Sequence, residues 1–261
     1  MKKSFKIIIF VLGFLIFTAC SKDSNQAAEP LTSIVNTIKK VTETTYSTTS
    51  FTTIIDFEYE NGTLKRIISG TASLEYVYNG NKIVSINFYN NTVLQKTQTL
   101  SYSGDLLTIR QISATERTRF EYSGNYLSTA NIETLMNNNW STSNVEGFSF
   151  DNSGNQTERV FSVPFSSSGQ IFKSSFVYDN KNNPFKMMNP YVRYLLDFQT
   201  LIEFSQNNAI QSYSYPDATS TTATLSENYE IVYNSNNYPT NIKCRRAINN
   251  ELKSEITIEY N

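Results

Sequence analysis

The chain has no histidine among its 261 residues, and this absence narrows the chemistry that it can perform. Histidine is the commonest general base in enzymes and the commonest protein ligand of metal ions. Serine–histidine–aspartate hydrolysis, cysteine–histidine proteolysis and histidine-ligated zinc are therefore excluded. Carboxylates, thiols and aromatic rings remain as the groups that could act on a ligand.

The acidic side chains are candidates for general acid and base catalysis. A glycosidase needs two carboxyl groups held about 5–10 Å apart across a cleft. The alternation of apolar and polar residues places most acidic side chains of this chain on outward, solvated faces of strands. We therefore expect no enzymatic activity and no cofactor, and keep a glycan-active enzyme that uses paired carboxylates as an alternative. The acidic residues concerned are Asp56, Glu58, Glu60, Glu75, Glu121, Asp151 and Glu158.

The aromatic residues Trp140, Tyr191 and Tyr194 are the candidate ligand-binding residues. Exposed aromatic rings stack on sugar rings in glycan-binding modules, so a glycan is one expected partner and an envelope protein is the other. The alternative is that Trp140 lies in the core and the two tyrosines pack a cap. The net charge of −1 argues against nucleic acid as a partner, because a nucleic-acid binder needs a basic surface.

Two further features could bind or react, and each has a simpler interpretation. Cys244 lies between Lys243 and Arg245, which would lower the thiol pKa if the side chain were exposed; without histidine, an inert thiol is expected. The segments 151–155 and 179–183 offer oxygen ligands of the kind that calcium prefers. Neither supplies the distal glutamate of a calcium-binding loop, so both are predicted to be turns and no metal is expected.

The N-terminal sequence has the features of a targeting segment. Residues 1–6 are basic, and Ile7 to Phe17 is an apolar run that is too short for a transmembrane helix of about 20 residues. The following Thr18-Ala19-Cys20 resembles the cleavage site of a bacterial lipoprotein signal. The resemblance implies that residues 1–19 are removed and that Cys20 is lipidated. The alternative is an ordinary secretory signal.

The lipoprotein resemblance also implies a cellular location. A multiply acylated cysteine holds a protein stably at a membrane, and residues 20–32 would form the lipidated cysteine and a flexible tether. Lys22-Asp23 resembles the short charged export signals of surface lipoproteins. We therefore expect a lipid anchor in the outer membrane, with exposure at the cell surface.

The remaining sequence repeats one unit, seen in residues 120–127, Phe-Glu-Tyr-Ser-Gly-Asn-Tyr-Leu. Aromatic and β-branched residues suit a strand, and Gly and Asn supply the positive φ of hairpin turns. The unit predicts strand, turn, strand, and its anchor aromatic residue recurs every 19 to 29 residues. The anchor residues are Tyr59, Tyr78, Tyr102, Tyr122, Phe150, Tyr178, Phe204, Tyr233 and Tyr260.

The fold class predicted from this repeat is all-β. Residues 33–261 are expected to form one domain, an extended antiparallel meander of eight or nine hairpins, curved or rolled into an open barrel-like sheet. The segment 183–198 contains two prolines and interrupts the hairpin repeat. Val192, Leu195 and Leu196 follow helical spacing there, so a loop and a helical turn are predicted to cap one end of the sheet.

The turn sequences carry a family resemblance. Residues 150–155, Phe-Asp-Asn-Ser-Gly-Asn, and 178–182, Tyr-Asp-Asn-Lys-Asn, resemble the YD-type hairpin repeats of bacterial surface proteins. Over roughly residues 33–261 the chain resembles Bacteroidota outer-membrane lipoproteins built from such units. The resemblance implies an extended antiparallel β-meander and no known reaction.

These observations together predict a lipid-anchored cell-envelope protein that presents a β-sheet surface for binding a ligand or partner. An integral outer-membrane barrel is a further alternative. It would need strands with an apolar band facing lipid, whereas the predicted outward positions here carry Asp, Glu, Lys and Asn.

Overall fold

The structure, a computed structural model, describes residues 36–162, 171–188, 190–195 and 204–261. The predicted signal peptide and tether over 1–32 lie outside these ranges. The described residues form 16 strands and one short helix. The elements are β1 (Ile38–Thr45), β2 (Phe51–Glu60), β3 (Thr63–Ser69), β4 (Ala72–Asn79), β5 (Lys82–Asn90), β6 (Val93–Ser103), β7 (Leu106–Gln111), β8 (Glu116–Ser123), β9 (Tyr126–Met136), β10 (Asn139–Phe150), β11 (Gln156–Ser162), β12 (Ile171–Tyr178), α1 (Pro190–Leu195), β13 (Ala209–Tyr215), β14 (Thr224–Tyr233), β15 (Pro239–Arg246) and β16 (Leu252–Tyr260).

The strands form an antiparallel meander in which each strand pairs with its neighbour in sequence, which confirms the predicted fold class. The first strand, β1, also pairs with the last strand, β16, with Val41 opposite Ile258. This pairing closes the sheet into a barrel, whereas the sequence predicted a more open sheet. Closure removes the exposed strand edges that an open sheet would leave available for aggregation.

The barrel has two ends, which we name by their turns. The near rim carries the turns that follow β2, β4, β6, β8, β10, β12 and β14, together with the start of β1 and the end of β16. The far rim carries the turns that follow β1, β3, β5, β7, β9, β13 and β15. Turns at both rims use residues with positive φ, as the predicted Asn61-Gly62 turn does with φ of 51° and 77°. Positive φ at both central positions is what a type I′ hairpin requires.

At the near rim the Tyr59 hydroxyl has no hydrogen-bond partner and Tyr233 donates to Asp179, but five other anchor tyrosines make one repeated kind of hydrogen bond. Each hydroxyl donates to a main-chain carbonyl at the start of the preceding odd-numbered strand, so it joins the two ends of one hairpin stem. We call these contacts the tyrosine–carbonyl bonds. They are Tyr78 to Leu64 at 2.9 Å, Tyr102 to Ile83 at 2.8 Å, Tyr122 to Leu107 at 2.9 Å, Tyr178 to Gln156 at 2.7 Å and Tyr260 to Pro239 at 2.8 Å.

The inward face of the barrel holds the hydrophobic core, and the segment between β12 and β13 contributes to it from the near rim. Phe185 and Val192 are almost fully buried, and Met188 is 9% exposed. The predicted helical turn is therefore confirmed as α1, which lies at one end of the barrel. Phe204, in contrast, lies in a turn before β13 and not at the end of a strand. Among the described residues, no helix is both long and apolar enough to cross a membrane.

The outward face of the barrel carries charged side chains in cross-strand pairs. Asp56 and Glu58 flank the buried Phe57, so alternation directs their side chains outward. The prediction that these carboxylates are solvated is confirmed. The outward ion pairs include Lys40–Asp56, Arg66–Glu58, Arg66–Glu75, Arg117–Glu133, Arg119–Glu133, Arg119–Glu121, Lys173–Glu158, Lys243–Glu255 and Arg245–Glu230.

The tyrosine–carbonyl bonds should contribute measurably to stability. Replacing Tyr102 with Phe removes one such bond and leaves the Ile83 carbonyl without that donor, so we expect a loss of about 1–2 kcal/mol in the free energy of unfolding. Tyr59→Phe is the matched control, because the Tyr59 hydroxyl has no hydrogen-bond partner. Urea denaturation of both variants checks this. Equal destabilisation of the two would show that the bond is not the cause.

Glu133 should make stability depend on pH. It accepts hydrogen bonds from Nε of Arg117 at 2.6 Å and of Arg119 at 2.8 Å. Burial acts to raise its pKa, but the two arginines outweigh burial and the net pKa is lowered. A lowered pKa stabilises the fold above the unfolded value of about 4.3, and this contribution is lost as pH falls through the folded value.

We therefore expect Glu133→Gln to cost about 1–3 kcal/mol at pH 7 and progressively less below about pH 4. Urea denaturation of the variant and the unmodified chain at pH 7, 5 and 3 measures the difference. A difference that stays constant across this range would contradict the assignment.

Candidate functional site

The near rim contains a cavity of about 200 Å³ between the barrel wall and the segment that carries α1. We call it the rim pocket. Its wall is unusually rich in aromatic rings, which come from β8, β9, β10, α1 and the turn before β13. These residues are Phe120, Tyr122, Tyr126, Phe150, Tyr194 and Phe204.

Tyr126 and Phe150 form the outer part of this wall. Tyr126 is the first residue of β9, directly after the tight turn in which Gly124 has a φ of 60°. Its ring stacks on Phe150, the last residue of β10, with ring centroids 5.1 Å apart and planes inclined by 17°. Because 43% of Tyr126 remains exposed, the stacked ring also offers surface to a ligand.

Tyr194 forms the inner part of the pocket. Its ring meets Phe120 edge to face at 4.8 Å and packs against Phe204 at 5.9 Å. The guanidinium of Arg110 lies 5.6 Å from the same ring, within the range of a cation–π contact. Burial raises the pKa of the Tyr194 hydroxyl, so this residue remains neutral.

Polar groups reach the pocket from three sides. Asn125 and Gln206 contribute amide side chains, and Arg193 contributes a buried guanidinium. Arg193 donates to the main-chain carbonyls of Met188 and Lys186. Burial lowers its pKa to about 10, so it is still a cation at neutral pH. No aspartate or glutamate is among the described residues that line the pocket.

The loop 151–155 closes one edge of the pocket. The Asp151 carboxylate accepts hydrogen bonds from the main-chain nitrogens of Ser153 at 2.8 Å and Asn155 at 2.9 Å, which is the predicted turn. Gly154 has a φ of 82°, and a Cβ there would lie 3.1 Å from Cγ of Gln206. Both the backbone conformation and the limited space therefore favour glycine.

The structure does not bring the sequence-predicted ligand-binding residues together. Tyr194 lies in the rim pocket, but Trp140 is the second residue of β10, at the far rim. The Trp140 side chain is half-buried on the outward face, where the Arg117 guanidinium lies 4.2 Å from its ring centroid. The side chain of Tyr191 lies outside the described part of the structure. Trp140 is therefore in neither the core nor the cap.

Sequence reasoning did not identify Tyr126, Phe150 or Arg193 as site residues. Phe150 was recognised only as an anchor aromatic residue, and Tyr126 only as the residue that restarts the chain after a turn. The repeat could have indicated Tyr126 and Phe150, because residues that flank the near-rim turns lie at the same end of the sheet. What it did not show is which hairpins lie beside α1.

Cys244 lies on the inward face, opposite Tyr229. It is 1% exposed. Burial, with a smaller effect from Glu227, raises the pKa of its thiol to about 12. The thiol is thus protonated and inaccessible. Within the described ranges, no group of three or more Cys, Asp or Glu side chains is placed to hold a metal ion.

Comparison with known proteins shows the fold but no family. No protein-family model matches the chain, and no curated protein sequence matches it. A crystal structure of a porin-like protein from Bacteroides uniformis ATCC 8492 is similar, with a TM-score of 0.57 and 12% identity over 86% of this chain and 98% of that one. At this identity the similarity shows a shared barrel fold.

A porin-like protein from Bacteroides vulgatus ATCC 8482 matches over the same shares of both chains, with 15% identity and a TM-score of 0.46. Lipidation and the YD-type assignment of the repeats stay predictions.

Proposed function

We propose that this protein is a barrel of the bacterial outer membrane that binds a sugar ring of a glycan in the rim pocket. The observation that carries the proposal is the pairing of an exposed, stacked aromatic ring, Tyr126, with the planar polar side chains of Asn125, Gln206 and Arg193 in one cavity. The pocket of about 200 Å³ is of a size suited to one ring of a larger ligand.

The chemistry of the pocket matches that of a sugar. Pyranose rings have an apolar C–H face that can lie on the exposed part of Tyr126, and hydroxyl groups at the ring edge. Asn125 and Gln206 can each donate and accept hydrogen bonds, whereas Arg193 only donates. Because no carboxylate lines the pocket among the described residues, binding is better supported there than glycoside cleavage, which needs two carboxyl groups.

The membrane attachment is proposed to be the lipid on Cys20. The charged pairs on the outward face support this mode, since charges that face the hydrocarbon core of a bilayer are destabilising. The similarity in fold to a protein described as porin-like supports an outer-membrane location. Exposure at the cell surface would bring the rim pocket into contact with external glycans.

A second candidate function is an integral outer-membrane barrel. The closed antiparallel barrel shared with the porin-like protein favours it. Exposed large apolar side chains at the far rim also favour contact with lipid, at least at that end. They are Phe51, Ile54, Val93, Leu94, Met136, Ile171, Phe172 and Ile248.

Glycan binding is tested with a glycan array probed with residues 21–261, which contain every described residue of the barrel. We expect selective binding that Tyr126→Ala weakens at least tenfold, because the apolar contact between the sugar's C–H face and the tyrosine ring is lost. Trp140→Ala is the matched control and should bind as the unmodified protein does. Loss of binding in Trp140→Ala alone, or no glycan binding at all, would contradict the proposed site.

The mode of membrane attachment is tested by replacing residues 1–20 with an ordinary cleavable secretory signal. The unmodified chain should incorporate labelled palmitate and remain with membranes after an alkaline carbonate wash. The variant should lack the label and be recovered in the soluble fraction. A variant that still resists the wash would favour the integral barrel over the lipid anchor.

A further inference from the structure

Arg193 is the one charged side chain among the described residues that line the rim pocket. It is 5% exposed and donates through Nε to the Met188 carbonyl at 3.2 Å and through Nη2 to the Lys186 carbonyl. A guanidinium has five N–H donors, so it can hold both carbonyls and still donate to a ligand. Burial lowers its pKa, and no carboxylate of the described residues opposes that shift. Within the described part of the chain, the pocket wall therefore contains a cation without a counter-ion.

A second buried arginine lies beside Tyr194, which forms the inner part of the pocket. Arg110 is on β7, and its cross-strand neighbour Thr118 is fully buried, so alternation directs the Arg110 side chain into the barrel. Burial lowers the pKa of Arg110, with smaller opposing effects from Tyr194 and Glu146. Glu146 is itself paired with Arg159 at 3.3 Å. On this side of the pocket, two of the described arginines therefore share one carboxylate.

The arginines of the outward face differ, because they have carboxylate partners of their own. Arg119 donates to Glu133 at 2.8 Å, and Arg245 donates to Glu230 at 2.8 Å. A buried cation without such a partner is destabilising. A carboxylate on a ligand would supply the partner, and the guanidinium fork matches the two oxygens of a carboxylate. The charges around the rim pocket thus favour an anionic ligand over a neutral one.

We propose that the sugar held in the rim pocket carries a carboxylate, as uronic and sialic acids do, and that Arg193 binds this carboxylate. The inference rests on the proposed glycan binding and adds the class of sugar. The bonds from Arg193 to Met188 and Lys186 fix the guanidinium before the ligand arrives, which lowers the entropic cost of binding. Arg110 adds positive potential beside Tyr194 without contacting the ligand.

The experiment probes residues 21–261 with an array of glycans ending in uronic or sialic acid, each printed as the free carboxylate and as its methyl ester. Esterification removes the negative charge and leaves the ring and its hydroxyl groups in place. We expect the unmodified protein to bind at least one of these glycans, about tenfold more tightly as the carboxylate than as the ester. Arg193→Gln should bind the two forms equally. Arg193→Lys keeps the charge without the fork and should retain a smaller preference.

Arg245→Gln is the matched control, because it removes one cation from the outward face and should keep the full preference. The result is a ratio within each variant, so a partial loss of folded protein does not change it. Equal binding of both forms by the unmodified protein, or binding of neutral glycans alone, would overturn the proposal and leave glycan binding intact. A preference that persists in Arg193→Gln would also overturn it. The absence of binding to any glycan, acidic or neutral, would overturn the proposed function as well.

Discussion

The hydrogen bond from a tyrosine hydroxyl to a carbonyl of the neighbouring strand is the contact on which the near rim depends. Tyr78, Tyr102 and Tyr122 make it in successive hairpins with nearly the same length. Each bond satisfies a polar group near the inner wall, where an unpaired buried group would be costly. It therefore allows a chain of modest hydrophobic content to use tyrosine as a core residue while keeping the turns in register.

Strand alternation divides the chemistry of the protein between the two faces of the barrel wall. Inward positions supply the aromatic and aliphatic core, and outward positions supply cross-strand ion pairs such as Lys40–Asp56. The candidate site lies at the near rim, where the hairpin ends meet the segment that carries α1. The rim pocket lies at this junction.

The sequence predicted the strands, the turns, the interruption near Val192 and the outward carboxylates, because these depend on local period and turn chemistry. It did not predict closure, since the pairing of β1 with β16 joins residues more than 200 positions apart and leaves no local signal. The position of Trp140 could not be predicted for a related reason. Its neighbour Arg117 belongs to another strand, so alternation within β10 could not reveal the contact that positions its ring.

The central claim is that the outward face of the barrel meets water and that the lipid on Cys20 holds the protein at the membrane. The most direct test attaches an environment-sensitive fluorophore to a Glu58→Cys variant in membranes, since Cys244 is buried and Cys20 would be acylated. We predict quenching by aqueous iodide and none by nitroxide groups on lipid chains. Quenching by the lipid nitroxides with protection from iodide would show that the strands span the bilayer and would contradict this account.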